Sequence, residues 1–337
     1  MNVAVIGAGN IAGHHINAMR QVSNVNLVSV YCRDPEKAAL AEQRFGLPCV
    51  TDLNVILEDK RIQVADIILP SGLHAEMGTR FARAGKHVIV EKPIDVTLDK
   101  ADALIHACRD NGVTLAVVSQ NRFLPAMQKV YALLKENRLG RLLHAEASIK
   151  WYRDEAYYHS GAWRGTRQLD GGGAFLNQGI HFIDLMLSVM GPASRVIGKV
   201  RTSVHDIEVE DLGMALVDFR NGATGMIQAS TATYPGLPAR LDIHGTDGTA
   251  VIEGENLALL DIRGQEPQRD AEHAAGGSAK PLDINLTPFI NQFQDIFSAI
   301  RENRQPQVNG TEARRALELV LAIYESSEQD RPVLLNQ

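Results

Sequence analysis

The chain opens with Asn2-Val3-Ala4-Val5-Ile6-Gly7-Ala8-Gly9-Asn10-Ile11-Ala12, the stretch that decides the fold of its first half. The mostly apolar start predicts a buried strand, and G-x-G-x-x-A at the start of a helix is the fingerprint of a dinucleotide site. The first glycine permits a tight turn, and the second lets the backbone approach a pyrophosphate at the helix N-terminus. We therefore expect a nucleotide cofactor in contact with this stretch.

The residues after the second predicted strand, 26–31, bear on the choice between NAD and NADP. An NAD enzyme usually carries an acid there to bind the ribose 2′-hydroxyl, but Cys32 stands twenty residues after Ala12. Arg33 beside it can pair with a 2′-phosphate, so the sequence favours NADP. Asp34 has two interpretations, a ribose contact or the N-cap of a helix that begins at Pro35.

Length, charge and cysteine count limit the class of protein. A chain of 337 residues exceeds what one hydrophobic core usually serves, so we expect two domains, 1–120 and 121–337. The net charge of −6, without a basic stripe, argues against nucleic acid as a partner. Three scattered cysteines fit a reducing cytoplasm. A first strand beginning at residue 2 leaves no leader, and no apolar run could span a membrane, so we expect a cytoplasmic protein.

The pattern of apolar runs predicts an α/β fold. Up to residue 120, strands and helices alternate, and the strands are apolar throughout, which indicates an N-terminal Rossmann-type parallel sheet covered on both faces. After a helix at 125–138, strands follow one another and are joined by turns such as Asn221-Gly222. This half is predicted to be an α+β domain with a large open antiparallel sheet. Its open face favours a homodimer or homotetramer.

The later elements can be assigned individually. The predicted strands are 64–70, 87–90, 114–119, 142–152, 194–204, 212–219, 223–232, 239–245 and 249–253. The predicted helices are 74–84, 98–111, 125–138, 287–303 and 312–327, with a loop at 264–280.

Two stretches carry a candidate proton-transfer pair. Glu91-Lys92-Pro93 follows the strand 87–90, and open α/β sheets place ligands at that end of their strands. Lys92 could there stabilise the oxygen charge that develops as hydride leaves a hydroxyl carbon. The second stretch, Gly171 to Asp184, predicts a helix on which His181 shares a face with Asn177 and Asp184. His181 could take and return the hydroxyl proton, with Asp184 orienting its ring.

The remaining polar residues lead to three further expectations. Arg164 suits a substrate carboxylate or phosphate, or packs on Trp163 at the surface. The acids of 205–211 indicate an exposed strand edge, and without a second histidine at ligand spacing we expect no metal. His14 and His15 follow the glycine turn, where one ring could approach a bound phosphate, and we expect both at the surface.

The fingerprint, Ser71–Glu76, Gly85–Pro93 and Gly172–His181 together resemble the glucose-fructose oxidoreductase/inositol dehydrogenase/MocA family, nearly end to end. The resemblance implies NAD or NADP as cofactor, with Lys92 and His181 at the site of hydride transfer. Many members have an aspartate four residues before that histidine, where this chain has Asn177. The implied cofactor contacts are Gly7, Gly9, Asn10, Ile11, Arg33, Asp34, Ser71, His74, Glu91, Lys92, Asn121, Trp163 and Arg164. The implied substrate contacts are Lys92, Arg122, Tyr152, Arg164, Asn177 and His181.

Further stretches, among them Tyr157–Thr166, 207–211 and Tyr234–Pro238, resemble one branch, the UDP-N-acetyl-2-amino-2-deoxyglucuronate 3-dehydrogenases. This implies an NAD(P)-dependent dehydrogenase acting on C3 of a UDP-N-acetyl-sugar uronate, whose carboxylate and diphosphate would give Arg164 a ligand. Two alternatives remain open. One is an NADP-dependent dehydrogenase or reductase of a free sugar or an inositol-like polyol. The other is a cofactor-sensing regulator on the same scaffold.

Overall fold

The computed structural model describes residues 1–269 and 285–335. Their strands are β1 (Asn2–Ile6), β2 (Asn26–Tyr31), β3 (Cys49–Val50), β4 (Val64–Ile67), β5 (His87–Val90), β6 (Leu115–Val117), β7 (Leu142–Lys150), β8 (Ala193–Arg201), β9 (Leu212–Phe219), β10 (Thr224–Ser230), β11 (Arg240–Gly245), β12 (Gly248–Glu253), β13 (Asn256–Ile262) and β14 (Val333–Leu334).

The α-helices are α1 (Ala12–Met19), α2 (Pro35–Phe45), α3 (Leu53–Glu58), α4 (His74–Arg83), α5 (Leu98–Asp110), α6 (Pro125–Lys135), α7 (Glu155–His159), α8 (Ile180–Met190), α9 (Thr287–Glu302) and α10 (Gly310–Gln329). A π-helix, Ala174–Gly179, leads directly into α8. Among the described residues, no helix is both long enough and apolar enough to cross a membrane.

The backbone contacts divide the chain into two units. The first, Met1–Gln120 with Ile284–Arg314, contains a six-stranded sheet in the order β3-β2-β1-β4-β5-β6. Every neighbouring pair in it is parallel. Strands β2 and β3 lie on one side of β1, and β4, β5 and β6 lie on the other. The strand order therefore reverses between β1 and β4, and sheets of this kind bind dinucleotides in the crevice at the carboxyl ends of those two strands. The predicted Rossmann-type sheet is confirmed.

Helix α9 makes the first unit larger than the predicted domain 1–120. Its side chains Phe289, Phe293 and Phe297 are buried in one cluster with Val3 of β1 and Ile16 of α1. This packing removes the phenylalanine side chains of the helix from water. Residues 284–314 therefore group with the first unit, although they lie within the predicted second domain, 121–337.

The second unit, Asn121–Asp283 with Arg315–Gln337, contains an eight-stranded sheet in the order β13-β12-β11-β7-β10-β9-β8-β14. All of its neighbouring pairs are antiparallel except β7 and β10, which run parallel. Helix α8 packs on β7 and β11 on one face of this sheet. The opposite face is open on β8 and β9, where Ile197, Met214 and Leu216 are 45, 54 and 59 % exposed.

Most predicted elements have bounds within a few residues of the observed ones, and the predicted hairpin turns at 221–222 and 247–248 join β9 to β10 and β11 to β12. Strand β13 was missed because only a short turn, Gly254-Glu255, separates it from β12. Of the predicted loop 264–280, residues 270–280 lie outside the described part of the chain.

Candidate active site

The fingerprint turn fits the pyrophosphate of a dinucleotide. Gly7 has a φ of +123°, and a Cβ there would lie 2.4 Å from the backbone oxygen of Ile68, so only glycine is tolerated. Gly9 is exposed, and a Cβ there would meet nothing within 4 Å, which leaves open space above the backbone. Helix α1 begins behind it, and Ile11 at its N-cap makes no side-chain hydrogen bond. The backbone N–H groups at the start of α1 are therefore available to donate hydrogen bonds to a bound phosphate.

A cleft of about 330 Å³ adjoins this turn at the end of β2. It is lined by Ala8, Gly9, Cys32, Lys37, Leu40, Ala41 and Arg44. Asp34 caps α2, accepting hydrogen bonds from the backbone N–H groups of Glu36 and Lys37 at 3.0 and 3.2 Å. Of the two interpretations of Asp34, the helix N-cap is the observed one. Arg33 is exposed, and Lys37 and Arg44 add cationic side chains to the cleft.

Hydrogen bonds from neighbouring side chains fix the backbone of the segment after β5, which carries Lys92. The Lys92 amide donates to Glu91 Oε2 at 2.9 Å. The His74 ring lies 2.7 Å from the Pro93 oxygen through Nδ1 and 2.8 Å from the Leu69 oxygen through Nε2. The predicted cofactor contact His74 is thus buried and hydrogen-bonded to backbone carbonyls, and its ring links the residues after β4 to those after β5. The Lys92 side chain itself is half-buried.

His15, expected at the surface, is completely buried. Its Nδ1 lies 2.9 Å from Asp66 Oδ2 on β4, and its Nε2 lies 2.9 Å from Glu91 Oε1. His15 lies on the buried face of α1, which also carries Ala12, Ile16 and Met19. The predicted cofactor contact Glu91 is likewise only 8 % exposed and bonded to protein groups.

The glycines before His181 permit backbone to pass close to buried side chains. A Cβ on Gly172 would lie 2.2 Å from the Tyr324 hydroxyl oxygen, and one on Gly173 would lie 2.0 Å from the Glu210 carbonyl oxygen. The Glu210 carboxylate accepts hydrogen bonds from the N–H groups of Gly173 and Phe175 and from the Tyr324 hydroxyl. Burial raises the pKa of Glu210, against the effect of these donors. This residue therefore anchors the start of the π-helix.

Asp184 and Asn177, predicted to share a helix face with His181, form hydrogen bonds with other described residues. The Asp184 carboxylate, which helical spacing assigned to orienting the ring, forms a buried ion pair with Arg122 at 2.6 and 2.8 Å. Arg122, predicted to contact substrate, is only 4 % exposed, and its guanidinium is engaged by Asp184. Asn177 donates its side-chain N–H to the buried Asp170, whose other oxygen accepts the Gly165 N–H at 2.8 Å.

A cluster of cations and aromatic rings surrounds Tyr157. The Arg164 guanidinium carbon lies 4.3 Å from the Tyr157 ring centre and 4.6 Å from that of Trp163. Arg164 also donates to the Tyr157 hydroxyl, which accepts a second hydrogen bond from Gln178. Arg153 donates to Gln178 at 2.9 Å, and burial lowers the pKa of Arg153. Burial raises the pKa of Tyr157, so its hydroxyl stays protonated.

No described residue has a carboxylate within ion-pair distance of Arg164. The other candidates occupy ordinary positions. Ser71 is buried in a 3₁₀ turn, Asn121 is half-buried in another, and the ring of Tyr152 contacts that of Tyr234 edge-on at 5.3 Å. In the described part of the chain, no three His, Cys, Asp or Glu side chains form a potential metal site.

The segment 205–211 was expected to be an exposed strand edge. Asp206 and Glu208 are exposed, but the segment is not a strand, and its last two acids are buried. Glu210 and Asp211 are 6 % and 0 % exposed. Asp211 accepts three backbone N–H groups, from Ser203, Val204 and His205, and together these donors and the ring of His205 lower the pKa of Asp211 even though burial would raise it. Sequence spacing gave no signal for the role of Glu210, because its partners Gly173 and Tyr324 lie 37 and 114 residues away. The same holds for Gln178, which lies 25 residues from Arg153 and 21 from Tyr157.

Two family models match the chain. The model for the oxidoreductase family with an NAD-binding Rossmann fold matches residues 1–119, and the model for the GFO/IDH/MocA C-terminal domain matches residues 127–251. Among solved structures, the WlbA dehydrogenase from Bordetella pertussis, in complex with NADH and UDP-GlcNAcA, is 30 % identical with a TM-score of 0.87. That alignment covers 100 % of this chain and 99 % of WlbA.

Other relatives are named for free sugars and polyols. Levoglucosan dehydrogenase from Pseudarthrobacter phenanthrenivorans is 27 % identical over 88 % of this chain and 86 % of its own. The NADP(+) scyllo-inositol 2-dehydrogenase IolW from Bacillus subtilis is 26 % identical over 85 % and 82 %. With both family models matched in order and with the fingerprint turn shaped for a dinucleotide, this chain is an enzyme that belongs to the GFO/IDH/MocA family of NAD-binding oxidoreductases.

Proposed function

We propose that this enzyme transfers a hydride between a nicotinamide cofactor and a secondary hydroxyl of a sugar, namely C3 of a UDP-N-acetyl-sugar uronate. The observation that supports this substrate is the environment of the Arg164 guanidinium. This guanidinium lies over the rings of Tyr157 and Trp163, and no carboxylate of the described residues lies within ion-pair distance of it. A preorganised cation of this kind suits an anionic ligand such as a carboxylate or a diphosphate. A similar structure, WlbA, was solved with NADH and UDP-GlcNAcA.

The proposed chemistry assigns one role to each of two residues. During oxidation, the hydroxyl proton passes to the His181 imidazole while the C–H hydride leaves for the cofactor and a carbonyl forms. The Lys92 ammonium stabilises the negative charge that develops on the oxygen. A bound nicotinamide supplies the hydride acceptor for oxidation and the hydride donor for reduction. In the reductive direction, His181 returns the proton to the oxygen.

NADP is the proposed cofactor, with NAD as the alternative. In support, Oδ1 of Asp34 is engaged in capping α2, and Arg33, Lys37 and Arg44 provide positive charge at the end of β2. A 2′-phosphate would pair with such charges, whereas a 2′-hydroxyl needs an acceptor. IolW is named for NADP(+), and the WlbA structure contains NADH.

A homo-oligomer formed through the open sheet face is also proposed. Large apolar side chains alternate with buried ones along β9, so Met214 and Leu216 point out from the same face. Light scattering should give the mass of a dimer or tetramer, and Leu216→Glu should reduce it. The control is Val204→Glu, because Val204 is 68 % exposed and lies outside the strands. A wild-type monomer would contradict the proposal.

A cytoplasmic location of the protein stays a prediction.

The substrate is tested by reduction of NAD⁺ and NADP⁺ with UDP-N-acetylglucosaminuronate, levoglucosan, scyllo-inositol and a panel of free sugars. Turnover confined to the UDP-sugar supports the proposal. Arg164→Ala should then raise KM for the UDP-sugar about 100-fold, consistent with loss of a charge-assisted bidentate contact. Turnover of a free sugar alone would instead support the polyol or sugar dehydrogenase. Cofactor binding without any turnover would contradict both.

A further inference from the structure

We infer that His15 is a positioning residue for Lys92, acting through Glu91. The inference rests on the proposed role of Lys92, and it concerns only residues of the first unit. It begins from the position of His15 on α1, next to the fingerprint turn and facing the sheet.

The hydrogen bonds form a continuous path from His15 to the backbone of Lys92. His15 Nε2 contacts Glu91 Oε1 at 2.9 Å, and Glu91 Oε2 accepts the Lys92 amide N–H at 2.9 Å. One carboxylate is thus held by the imidazole through one oxygen and holds the backbone of the next residue through the other. A shift of the Glu91 carboxylate would therefore move the backbone of Lys92, including the Cα atom that carries its side chain.

The second ring nitrogen fixes the imidazole itself. His15 Nδ1 contacts Asp66 Oδ2 at 2.9 Å, and both side chains are fully buried. The other Asp66 oxygen, Oδ1, has no hydrogen-bond partner within the described residues, so the ring is the partner that compensates this buried acid. Phe289 and Phe293 of α9 pack on the ring with centres 5.6 and 5.2 Å away. The ring therefore cannot rotate without breaking these contacts.

The charge state matches the geometry, because both ring nitrogens face carboxylate oxygens. Burial alone would lower the pKa of His15, but the charges and hydrogen bonds of Asp66 and Glu91 raise it to about 10. At neutral pH the ring is an imidazolium that donates to both acids. The titratable groups facing it are Asp66 on β4, Glu91 after β5 and, on its own helix, His14, whose pKa is lowered by burial and by His15.

The fingerprint helix and the lysine loop are in this way joined by a buried ionic link. Such a link contributes specificity of geometry more than net stability, since its desolvation cost offsets much of the attraction. Its expected benefit is a fixed Lys92, because small misplacement of a catalytic group can lower turnover by about 100-fold.

The test is a double-mutant cycle between His15→Gln and Lys92→Ala, assayed by NAD(P)⁺ reduction with UDP-N-acetylglucosaminuronate. His15→Gln should lower kcat by about 10- to 100-fold while cofactor Kd changes less than about threefold. In the Lys92→Ala background the same change should lower kcat by less than about twofold. Ile16→Ala is the matched control, because Ile16 is equally buried on α1 and should act equally in both backgrounds. An undiminished effect of His15→Gln without Lys92 would overturn the inference.

A second measurement separates this inference from the proposed function and needs no substrate. Lysines of the cofactor-bound enzyme are methylated with ¹³C, and the Lys92 signal is assigned with Lys92→Arg. In His15→Gln, or in Asp66→Asn if the first variant does not fold, this signal should shift and broaden, while Ile16→Ala leaves it unchanged. An unchanged signal in the variant would overturn the positioning role even if the enzyme turns over sugar. A shifted signal in an enzyme inactive on every sugar would leave the positioning role supported and the proposed function contradicted.

Discussion

The side-chain amide of Asn177 donates a hydrogen bond to the buried carboxylate of Asp170. Many family members have an aspartate at the position of Asn177, and the simplest expectation would be that Asn177→Asp improves catalysis. The contact with Asp170 predicts the reverse, because two carboxylates would then face each other in a buried setting.

Asn177→Asp should therefore lower both stability and turnover at neutral pH. Loss of the hydrogen bond and repulsion between the acids should cost about 2 kcal/mol of unfolding free energy. Activity should partly recover as the pH falls, because one acid then takes up a proton. Thermal unfolding and a pH profile of kcat measure both effects. The exchange variant Asp170→Asn/Asn177→Asp is the control, since it restores an amide–carboxylate pair. A stable and more active single variant would contradict this account.

Glu210 is expected to be the main anchor of the segment that leads to His181. Glu210→Ala would leave the N–H groups of Gly173 and Phe175 buried without an acceptor, which should lower the free energy of unfolding by about 3 kcal/mol. Tyr324→Phe removes only one donor to the same carboxylate and should cost about 1 kcal/mol. Urea unfolding measures both. Equal, small effects of the two variants would show that Glu210 is not the anchor.

His15 should remain protonated throughout the neutral range. Its pKa is raised to about 10 by Asp66 and Glu91, so its contribution to stability is complete below the ordinary value of 6.5 and is lost as the pH rises toward 10. NMR of the imidazole ¹⁵N nuclei should show both nitrogens protonated from pH 6 to pH 8, a window below the raised pKa. His87 is an internal reference, because burial lowers its pKa, so its imidazole should lose its proton at a lower pH than that of His15. Titration of His15 near pH 6.5 would contradict the buried ionic link.

Arg33→Ala should change the preference between the two cofactors. If Arg33 pairs with a 2′-phosphate, the variant should raise KM for NADP⁺ about 10-fold and leave KM for NAD⁺ nearly unchanged. Arg109→Ala is the control, since Arg109 is exposed and paired with Asp110 on α5. Equal KM values for NADP⁺ in wild type and variant would remove the support that Arg33 gives to NADP.

Local patterns predicted the fold well, because strand and helix periods, turn residues and the glycine fingerprint all act over short distances. The fingerprint needed only the requirements of Gly7 and Gly9, and the second sheet needed only its apolar runs and hairpin turns. Lys92 and His181 were found as candidates because motifs carry them.

Partners distant along the chain could not be predicted. His15 and Glu91 are 76 residues apart, and Arg122 and Asp184 are 62 apart, so no spacing rule links them. In both cases a side chain expected to face solvent or substrate was instead used to neutralise a buried acid. The exposure of a charged side chain is decided by tertiary packing, which local sequence does not report.

The central claim is hydride transfer to or from a UDP-N-acetyl-sugar uronate with Lys92 and His181 as the acting residues. It is tested most directly by reduction of NAD(P)⁺ with UDP-N-acetylglucosaminuronate in wild type, Lys92→Ala, His181→Ala and the control Lys60→Ala at an exposed position. We predict turnover by wild type and control, with kcat lowered at least about 100-fold in the other two and cofactor Kd nearly unchanged. Turnover of free sugars alone, or full activity of either variant, would contradict the account.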